Sequence, residues 1–361
     1  MQFDLPPPQG KGQVHSVFVV VPRFNLTTLI TMIETMRIGN YLSSERLFSW
    51  EVTSFDGLSL GASNGVRVHL DVEPDKTAPA DQVFVLASWG GEHYQNKALA
   101  SWLRKRARQG ECICAVELGC YLVARAGLMD GKEATTHWSW INGFQEKFDQ
   151  ISVVEQLFTI DGRILTCAGG MAGVDLMLRL IEQSHGASFS GEIADQMLHN
   201  PIRKGTSSQR RTMGRGTESI LPLVRQAMTL IERNIEEPLT VPEIADALDV
   251  SQRQLERQFK KHVGCTVVQF GLLRRLQNAR ILLIATELSV REIATASGFN
   301  TLSHFSYSFS KFFGRRPSDY REAWPSNEAA PTWPGTLSDF LQALNSGEKR
   351  ASAPLAPRAG R

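Results

Sequence analysis

Two segments in the second half of the chain repeat one pattern of residues, and this repeat constrains how that half can fold. Residues 241–264 and 290–314 share a Val–x–Glu–Ile–Ala opening and, further along, a Phe, a Lys and a closing Gly. Each copy predicts a short helix, a tight turn and a longer helix. Ser251 can cap the longer helix of the first copy, and Asn300 or Thr301 that of the second. The pattern is that of a helix-turn-helix unit, present twice.

Helix-turn-helix units also occur as ordinary packing of helices, and charge decides between the two interpretations. From Ser251 to Arg280 the chain has seven basic residues and one acid. Residues 201–361 carry 23 Lys and Arg against 15 Asp and Glu, whereas residues 1–200 carry 16 against 22. An acidic half joined to a basic half indicates two separate roles, one of them with a polyanion as partner. We therefore expect the repeated units to bind double-stranded DNA.

The outward positions of the two longer helices supply the predicted DNA contacts. Arg and Gln can hydrogen-bond to base edges in the major groove, Glu can accept from cytosine, and Lys suits phosphate. Residues 267–286 predict one helix of roughly 28 Å between the copies, which is close to one turn of DNA. The residues predicted to contact bases are Arg253, Gln254, Glu256 and Arg257 in the first copy and Leu302, Ser303, His304 and Tyr307 in the second. Those predicted to contact phosphate are Lys260, Arg274, Arg275 and Lys311.

Strand-like and helix-like segments alternate in the first half of the chain. This alternation predicts a mostly parallel sheet flanked by helices, because several of the strand-like runs are apolar throughout. The strand-like runs are residues 14–21, 48–55, 81–88, 112–117 and 162–169, and helical patterns include residues 26–42, 96–108 and 172–183. In such sheets ligands bind beyond the carboxyl ends of the strands. That rule brings together Gly90 and Gly91, Glu117, and Gly169 and Gly170.

Glu117 stands where the apolar run CICAVE ends in a tight turn that opens a helix. In many α/β proteins this corner holds a strained, exposed nucleophile. The residues alone leave three interpretations open: a general acid or base, a carboxylate that binds a small cation, or a cap of its own helix. His137, Trp138 and Trp140 either form an aromatic wall that favours a cation or belong to the core.

Other classes of protein are disfavoured by the sequence. No apolar run approaches the ~20 residues that cross a bilayer, and residues 1–13 lack the pattern of a secretory signal. The five cysteines lie in apolar contexts, which favours buried thiols in a reducing cytoplasm over disulfides. We expect neither a cofactor nor a metal site, since no His pair or second Cys pair accompanies Cys112 and Cys114.

The sequence CAVELGCYLVARAGLMDGKEATTHW resembles the elbow region of the ThiJ/PfpI group, within the class-I glutamine-amidotransferase-like fold, and ASWGG resembles that group's glycine turn. The resemblance implies a flavodoxin-like domain in which the enzymes carry a cysteine nucleophile at the position of Glu117, with His137 at the family's histidine. Because covalent chemistry of this kind needs a thiolate, we predict that the pocket was retained for ligand binding and the reaction lost. The alternative is an active amidase or glyoxalase-like enzyme with a DNA-binding tail. The predicted ligand-binding residues are Glu117, His137, Trp138, Gly90, Gly91 and Gly170.

Residues 218–324 resemble the AraC/XylS-type DNA-binding domain through IADALDVSQRQLERQFKKHVG, RRLQNARILL, REIATASGF and FSKFFGRRPSDYR. By this resemblance Arg253, Glu256 and Arg257 fall at base-contacting positions of the first unit. Those of the second unit are Leu302, Ser303, His304 and Tyr307. The family often has polar residues where Leu302 and Tyr307 stand.

The two resemblances together match the GlxA-like group of bacterial transcriptional regulators. They imply a sensing domain (14–200) and a DNA-binding domain (218–324). Basic residues without acids or hydrophobic periodicity predict a linker between them (201–217), and a composition rich in Pro, Ala and Ser predicts a disordered tail (325–361). The two resemblances also imply a cytoplasmic regulator, often an activator, that senses a small metabolite. The carboxylate of Glu117 among glycine turns favours an amine, a betaine or an amino acid as that metabolite. The regulator's expected partners are promoter DNA, a small-molecule effector, RNA polymerase and a second copy bound through the first domain, with no membrane. An architectural DNA-binding protein without a ligand is a further alternative.

Overall fold

The computed structural model describes residues 13–209 and 222–322, which fall into two compact units divided after Gln209. Of the predicted linker, residues 201–209 are described, and they belong to the first unit. The rest of that linker and the predicted disordered tail lie outside the described residues.

The first unit is built on a six-stranded sheet in the order β2-β1-β5-β6-β10-β9. All neighbouring strands are parallel except β9 and β10, which pair antiparallel. Two further two-stranded sheets join β3 with β4 and β7 with β8. The strands are β1 (Val14–Val20), β2 (Phe48–Thr53), β3 (Ser59–Gly61), β4 (Arg67–His69), β5 (Gln82–Ala87), β6 (Cys112–Glu117), β7 (Glu133–Ala134), β8 (Ser152–Val153), β9 (Phe158–Asp161) and β10 (Ile164–Cys167).

Helices cover both faces of this sheet. The helices of the first unit are α1 (Leu26–Leu42), α2 (Lys97–Arg108), α3 (Gly119–Arg125), α4 (Ile141–Lys147), α5 (Ala172–His185) and α6 (Ala187–Gln196). Helices α1, α5 and α6 pack together, whereas α2 and α3 pack with each other and with β6. Along β1, Val17, Phe18, Val19 and Val20 are all fully buried although their side chains alternate between the faces. The predicted mostly parallel sheet flanked by helices is confirmed.

The second unit is helical where the structure describes it. Its helices are α7 (Pro222–Arg233), α8 (Val241–Ala247), α9 (Gln252–Val263), α10 (Val267–Ala285), α11 (Val290–Ala296), α12 (Leu302–Phe313) and α13 (Pro317–Glu322). The pairs α8–α9 and α11–α12 are the two predicted helix-turn-helix units. Ser251 caps α9 as predicted, and of the two candidates for α12 the structure selects Thr301, whose side chain accepts from the His304 N–H.

Two hydrophobic cores divide the second unit, and α10 takes part in both. Leu255 and Phe259 of α9 pack with Phe270 of α10 in the first core. Phe305 and Phe309 of α12 pack with later residues of α10 in the second. Since α10 has 19 residues, it separates the ends of the two helix-turn-helix units by about 28 Å.

Candidate functional site

The elbow at Glu117 is formed by strand β6 and helix α3. Glu117 has a φ of 52°, in the left-handed region that side chains other than glycine rarely occupy. The chain can turn there because α3 begins at Gly119, where a Cβ would lie 2.0 Å from the carbonyl oxygen of Val85. The Leu118 N–H donates to the Ala87 carbonyl at 3.1 Å and ties the corner to β5. This strand–turn–helix geometry is that of a nucleophile elbow.

The carboxylate of Glu117 is buried and held by the protein itself. Its Oε1 accepts from Asn25 Nδ2 at 2.7 Å, Thr28 Oγ1 at 3.0 Å and the Gly170 N–H at 3.2 Å. A Cβ on Gly169 would lie 1.8 Å from Glu117 Cγ, so only glycine leaves room for this side chain. Burial raises the pKa of Glu117, and the hydrogen bonds that it accepts oppose the rise.

The glycines predicted around the pocket have unequal roles. Gly170, with a φ of 55°, donates directly to Glu117. Gly91 packs beside the elbow, since a Cβ there would lie 3.0 Å from the Cβ of Leu118. Gly90 has a φ of 91° and open space around the position of a Cβ, so it serves the turn.

Exposed apolar side chains flank the residues that contact Glu117. Trp89 follows Ser88 and is 39% exposed, and Met171 follows Gly170 and is 45% exposed. Both lie at the carboxyl edge of the sheet, where the predicted pocket is.

His137 and Trp138 lie in a segment that contacts the elbow through the preceding residue, Thr136. Their rings are 5.4 Å apart between centroids, and His137 Nδ1 is 2.7 Å from Ser139 Oγ. Thr136 donates its hydroxyl to the Glu117 carbonyl at 2.8 Å, which ties the segment to the elbow. Trp140 is buried against Tyr121 and belongs to the core.

The outward surfaces of α9 and α12 form the candidate DNA interface. Leu302 and Tyr307 are large apolar or aromatic side chains that α12 leaves exposed, Tyr307 to 67%. Glu256 is half-buried. The other predicted contacts on these two helices are exposed, namely Arg253, Gln254, Arg257, Lys260, Ser303, His304 and Lys311.

Arg274, predicted to contact phosphate, is buried instead, whereas Arg275 is half-buried and its predicted phosphate contact stays a prediction. Arg274 is buried, with Nε 3.2 Å from Glu232 Oε1 and a hydrogen bond from Nη1 to Gln277. Arg275 donates to the Gly298 carbonyl at 2.9 Å, and burial lowers its pKa. Both arginines are on α10, which lies between two cores, and the charge of Arg274 stays inside the unit.

Comparison with known proteins agrees with this two-part architecture. The DJ-1/PfpI family matches residues 23–183, and the helix-turn-helix domain family matches residues 244–323. The HTH-type transcriptional regulator CdhR of Pseudomonas aeruginosa is 38% identical over 88% of this chain and 94% of its own. The chain belongs to the HTH-type transcriptional regulators.

Two further relatives cover most of the regulator. The HTH-type transcriptional regulator GbdR of Pseudomonas aeruginosa is 33% identical over 91% of this chain and 89% of its own. The HTH-type transcriptional regulator GlxA of Rhizobium meliloti is 30% identical over 84% and 94%. A DJ-1/PfpI domain joined to an AraC-type helix-turn-helix domain is thus the regulator's composition, as the motifs predicted.

The cysteines of the regulator are poorly suited to nucleophilic chemistry. All five are buried. Burial raises the pKa of Cys120, which is three residues from Glu117, and raises the pKa of Cys167 to about 12. A thiol with such a pKa is protonated at neutral pH, whereas the nucleophile of this chemistry is the thiolate. Within residues 13–209 and 222–322, no cluster of His, Cys, Asp and Glu suits a metal ion, and no helix is long and apolar enough to cross a membrane.

Three residues that contact Glu117 in the regulator's elbow were not among the predicted site residues, although the sequence carries a signal for them. Asn25 and Thr28 begin α1, which follows β1, and a helix that follows a parallel strand starts at the carboxyl edge of the sheet. Ser88 follows β5 at the same edge and also hydrogen-bonds to Glu117. The rule that placed the glycines there applies equally to these three polar residues.

Proposed function

We propose that the first unit is an effector sensor without catalytic activity, and that its pocket lies at the carboxyl edge of the sheet around Glu117. The observation that carries this proposal is the carboxylate at the nucleophile position, which Asn25, Thr28 and Gly170 hold by hydrogen bonds. The raised pKa of the nearby buried thiols also argues against covalent catalysis. Glu117 acts as a fixed acidic group in a pocket and not as an attacking one.

The chemistry of the pocket favours a small cationic effector. A carboxylate attracts an ammonium group, and the exposed ring of Trp89 together with Trp138 suits a cation above an aromatic face. An amine, a betaine or an amino acid carries such a group. We propose this class as the effector of the regulator.

A thermal-shift screen of the full chain against amines, betaines and amino acids tests this proposal. A compound present at a hundred times its Kd adds about 2.7 kcal/mol to the free energy of unfolding. Glu117→Gln keeps an oxygen that can accept the three hydrogen bonds but removes the charge, so the affinity for a cation should weaken by about 1.5–3 kcal/mol. Glu192→Gln, at an exposed site on α6, is the matched control. Equal stabilisation of wild type and Glu117→Gln would contradict the role of Glu117.

An active enzyme is the second candidate, and it has its own test. The purified chain should show neither amide hydrolysis nor conversion of reactive aldehydes. Turnover that Glu117→Ala abolishes would establish a catalytic Glu117 in place of a sensing one.

We further propose that the second unit binds promoter DNA with α9 and α12 in successive major grooves. The regulator would act in the cytoplasm as a homodimer joined through the first unit, with RNA polymerase as a partner. The exposure of Arg253, Gln254 and Arg257 in the first turns of α9 supports base contacts by that helix. Selection of duplexes from a random pool, followed by binding across a salt series, is the experiment. Affinity that ignores sequence would identify an architectural protein.

A further inference from the structure

Residues 199–209, which we call the strap, follow α6 and end the first unit. Their beginning is fastened to Asp175, a fully buried carboxylate on α5. Asp175 accepts from the Arg203 N–H at 2.8 Å and from Arg203 Nε at 3.0 Å, and His199 Nε2 lies 3.0 Å from it. An ion pair at a fully buried carboxylate is costly to break, because it leaves a charge inside the protein.

The middle of the strap packs against strand β9. The Leu157 N–H donates to the Gly205 carbonyl at 2.9 Å. A Cβ on Gly205 would lie 2.6 Å from a ring carbon of Phe158, so the strap approaches this ring as closely as glycine allows. The composition of these residues resembles a flexible linker, yet they are a packed part of the first unit.

The strap ends at Gln209, whose side-chain amide is bound at both of its polar atoms. Its Nε2 lies within hydrogen-bond distance of Thr135 Oγ1 at 3.0 Å, the Thr136 carbonyl at 2.7 Å and the Gln156 carbonyl at 2.8 Å. Its Oε1 accepts from the Trp138 N–H at 2.7 Å. The pocket therefore suits a primary amide and does not suit a carboxylate, since three of its four groups are oxygens.

One loop holds both Gln209 and the elbow. Thr136 accepts from Gln209 through its carbonyl and donates its hydroxyl to the Glu117 carbonyl. Trp138, which donates to Gln209, belongs to the pair of rings predicted to contact the effector. A shift of this loop changes the contacts of the elbow and of Gln209 together.

We propose that the strap is a latch through which the Glu117 pocket controls the DNA-binding unit. This inference rests on the proposed function of both units. Because Gln209 is the last residue of the first unit, its release adds the strap residues after Arg203 to the chain that connects the units. An effector that moves the loop residues 135–138 alters the docking of Gln209, and by thermodynamic linkage the docking alters DNA binding.

Two substitutions in the full chain test the latch. Gln209→Ala removes the amide, and Gln209→Glu keeps its size but places a carboxylate against the three oxygens. Gln196→Ala, at an exposed site at the end of α6, is the control. DNA affinity is measured by fluorescence anisotropy at one salt concentration, with the duplex that the wild type selects from a random pool. Hydrogen exchange is followed at the amides of Leu157 and Arg203, which report the middle and the beginning of the strap.

We expect both Gln209 variants to speed exchange at Leu157 by about tenfold or more, and the Glu variant to have the larger effect. We also expect their DNA affinity to change by at least about fivefold in either direction, and Gln196→Ala to match the wild type. Faster exchange with a smaller change in affinity would overturn the proposal, because the strap would then serve packing alone. Unchanged exchange would overturn it too. A wild type that selects no sequence would instead refute the proposed DNA-binding function, and the exchange results would separate the two failures.

Discussion

The longer helices of the two helix-turn-helix units, α9 and α12, have the same local construction but different outward surfaces. Each begins after a hydroxyl cap, Ser251 or Thr301, and each ends at a left-handed glycine, Gly264 or Gly314. Each buries an apolar face in its own core. The hydroxyl cap and the glycine therefore set where each helix begins and ends, and the apolar face sets which side of it is buried. The outward residues take no part in these cores, and we propose that they determine what each helix binds.

The outward residues differ mainly in charge. Arg253 and Arg257 make the surface of α9 basic, whereas Leu302 and Tyr307 give α12 an exposed apolar and aromatic surface. Charged contacts weaken as salt rises, and contacts with thymine methyl groups do not. We therefore expect the two helices to contribute differently to affinity and to its salt dependence.

The largest effect on folding should come from Gly298→Ala, which disturbs the packing between the two helix-turn-helix units and leaves both outward surfaces unchanged. Gly298 has a φ of 73°, and a Cβ there would lie 2.3 Å from the Ile235 carbonyl oxygen and 2.7 Å from Pro238. Its carbonyl accepts from Arg275, whose guanidinium lies 4.7 Å from the centre of the Phe299 ring. We expect the free energy of unfolding to fall by about 3 kcal/mol, measured by urea denaturation of the full chain.

Gly271→Ala is the control for this substitution. Gly271 is on α10, and its Cβ would meet the nearest atom, Ile231 Cγ2, at an ordinary 3.7 Å. Because alanine is favoured over glycine inside a helix, this variant should gain up to about 1 kcal/mol. Similar losses in both variants would show that the unit does not depend on the close approach at Gly298.

The second effect concerns α9. Replacing Arg253 and Arg257 by Ala should weaken binding by about 1–3 kcal/mol for each arginine that reads a base, and should relax the choice of sequence at those positions. The measurement is affinity for the selected duplex and for single-base variants of it. Arg225→Ala, at an exposed site on α7, should leave both quantities unchanged. Binding that stays as tight and as selective in the double variant would remove α9 from the interface.

Much of the fold was predictable because its determinants are local. The apolar runs, the hydroxyl caps and the repeated Val–x–Glu–Ile–Ala opening each lie within a few residues of the element that they specify. The choice between Asn300 and Thr301 was beyond the sequence, since either residue can cap α12 and only the hydrogen bond to His304 separates them.

The sites were predictable in part. The elbow at Glu117 follows from one strand and one turn, but its partners on α1 come from almost a hundred residues away. Arg274 was predicted to lie on the surface because it is charged. The sequence does not show that α10 is packed between two cores, which buries this arginine. The strap was taken for a linker for the same reason: its anchors, Asp175 and Thr135, are distant in the chain.

A smaller effect is expected from α12. Tyr307→Ala should weaken binding by about 1 kcal/mol, with an unchanged dependence of affinity on salt, because the side chain is uncharged. Tyr307→Phe separates the ring from its hydroxyl. If the alanine variant binds as the wild type does, α12 supports α9 without contacting bases, and the difference between the two surfaces has no role in recognition.

The smallest effect on DNA affinity should come from a feature that both helices have, a lysine near the C-terminal end. Lys260 and Lys311 are exposed near the ends of α9 and α12, where a flexible ammonium suits phosphate. Each Lys→Ala variant should weaken binding to all sequences alike and reduce the salt slope by about 1. A change in slope from Lys260 alone would mean that α12 does not approach the DNA backbone. Equal changes from both would show that both helices approach the DNA backbone, with their differences confined to the other outward residues.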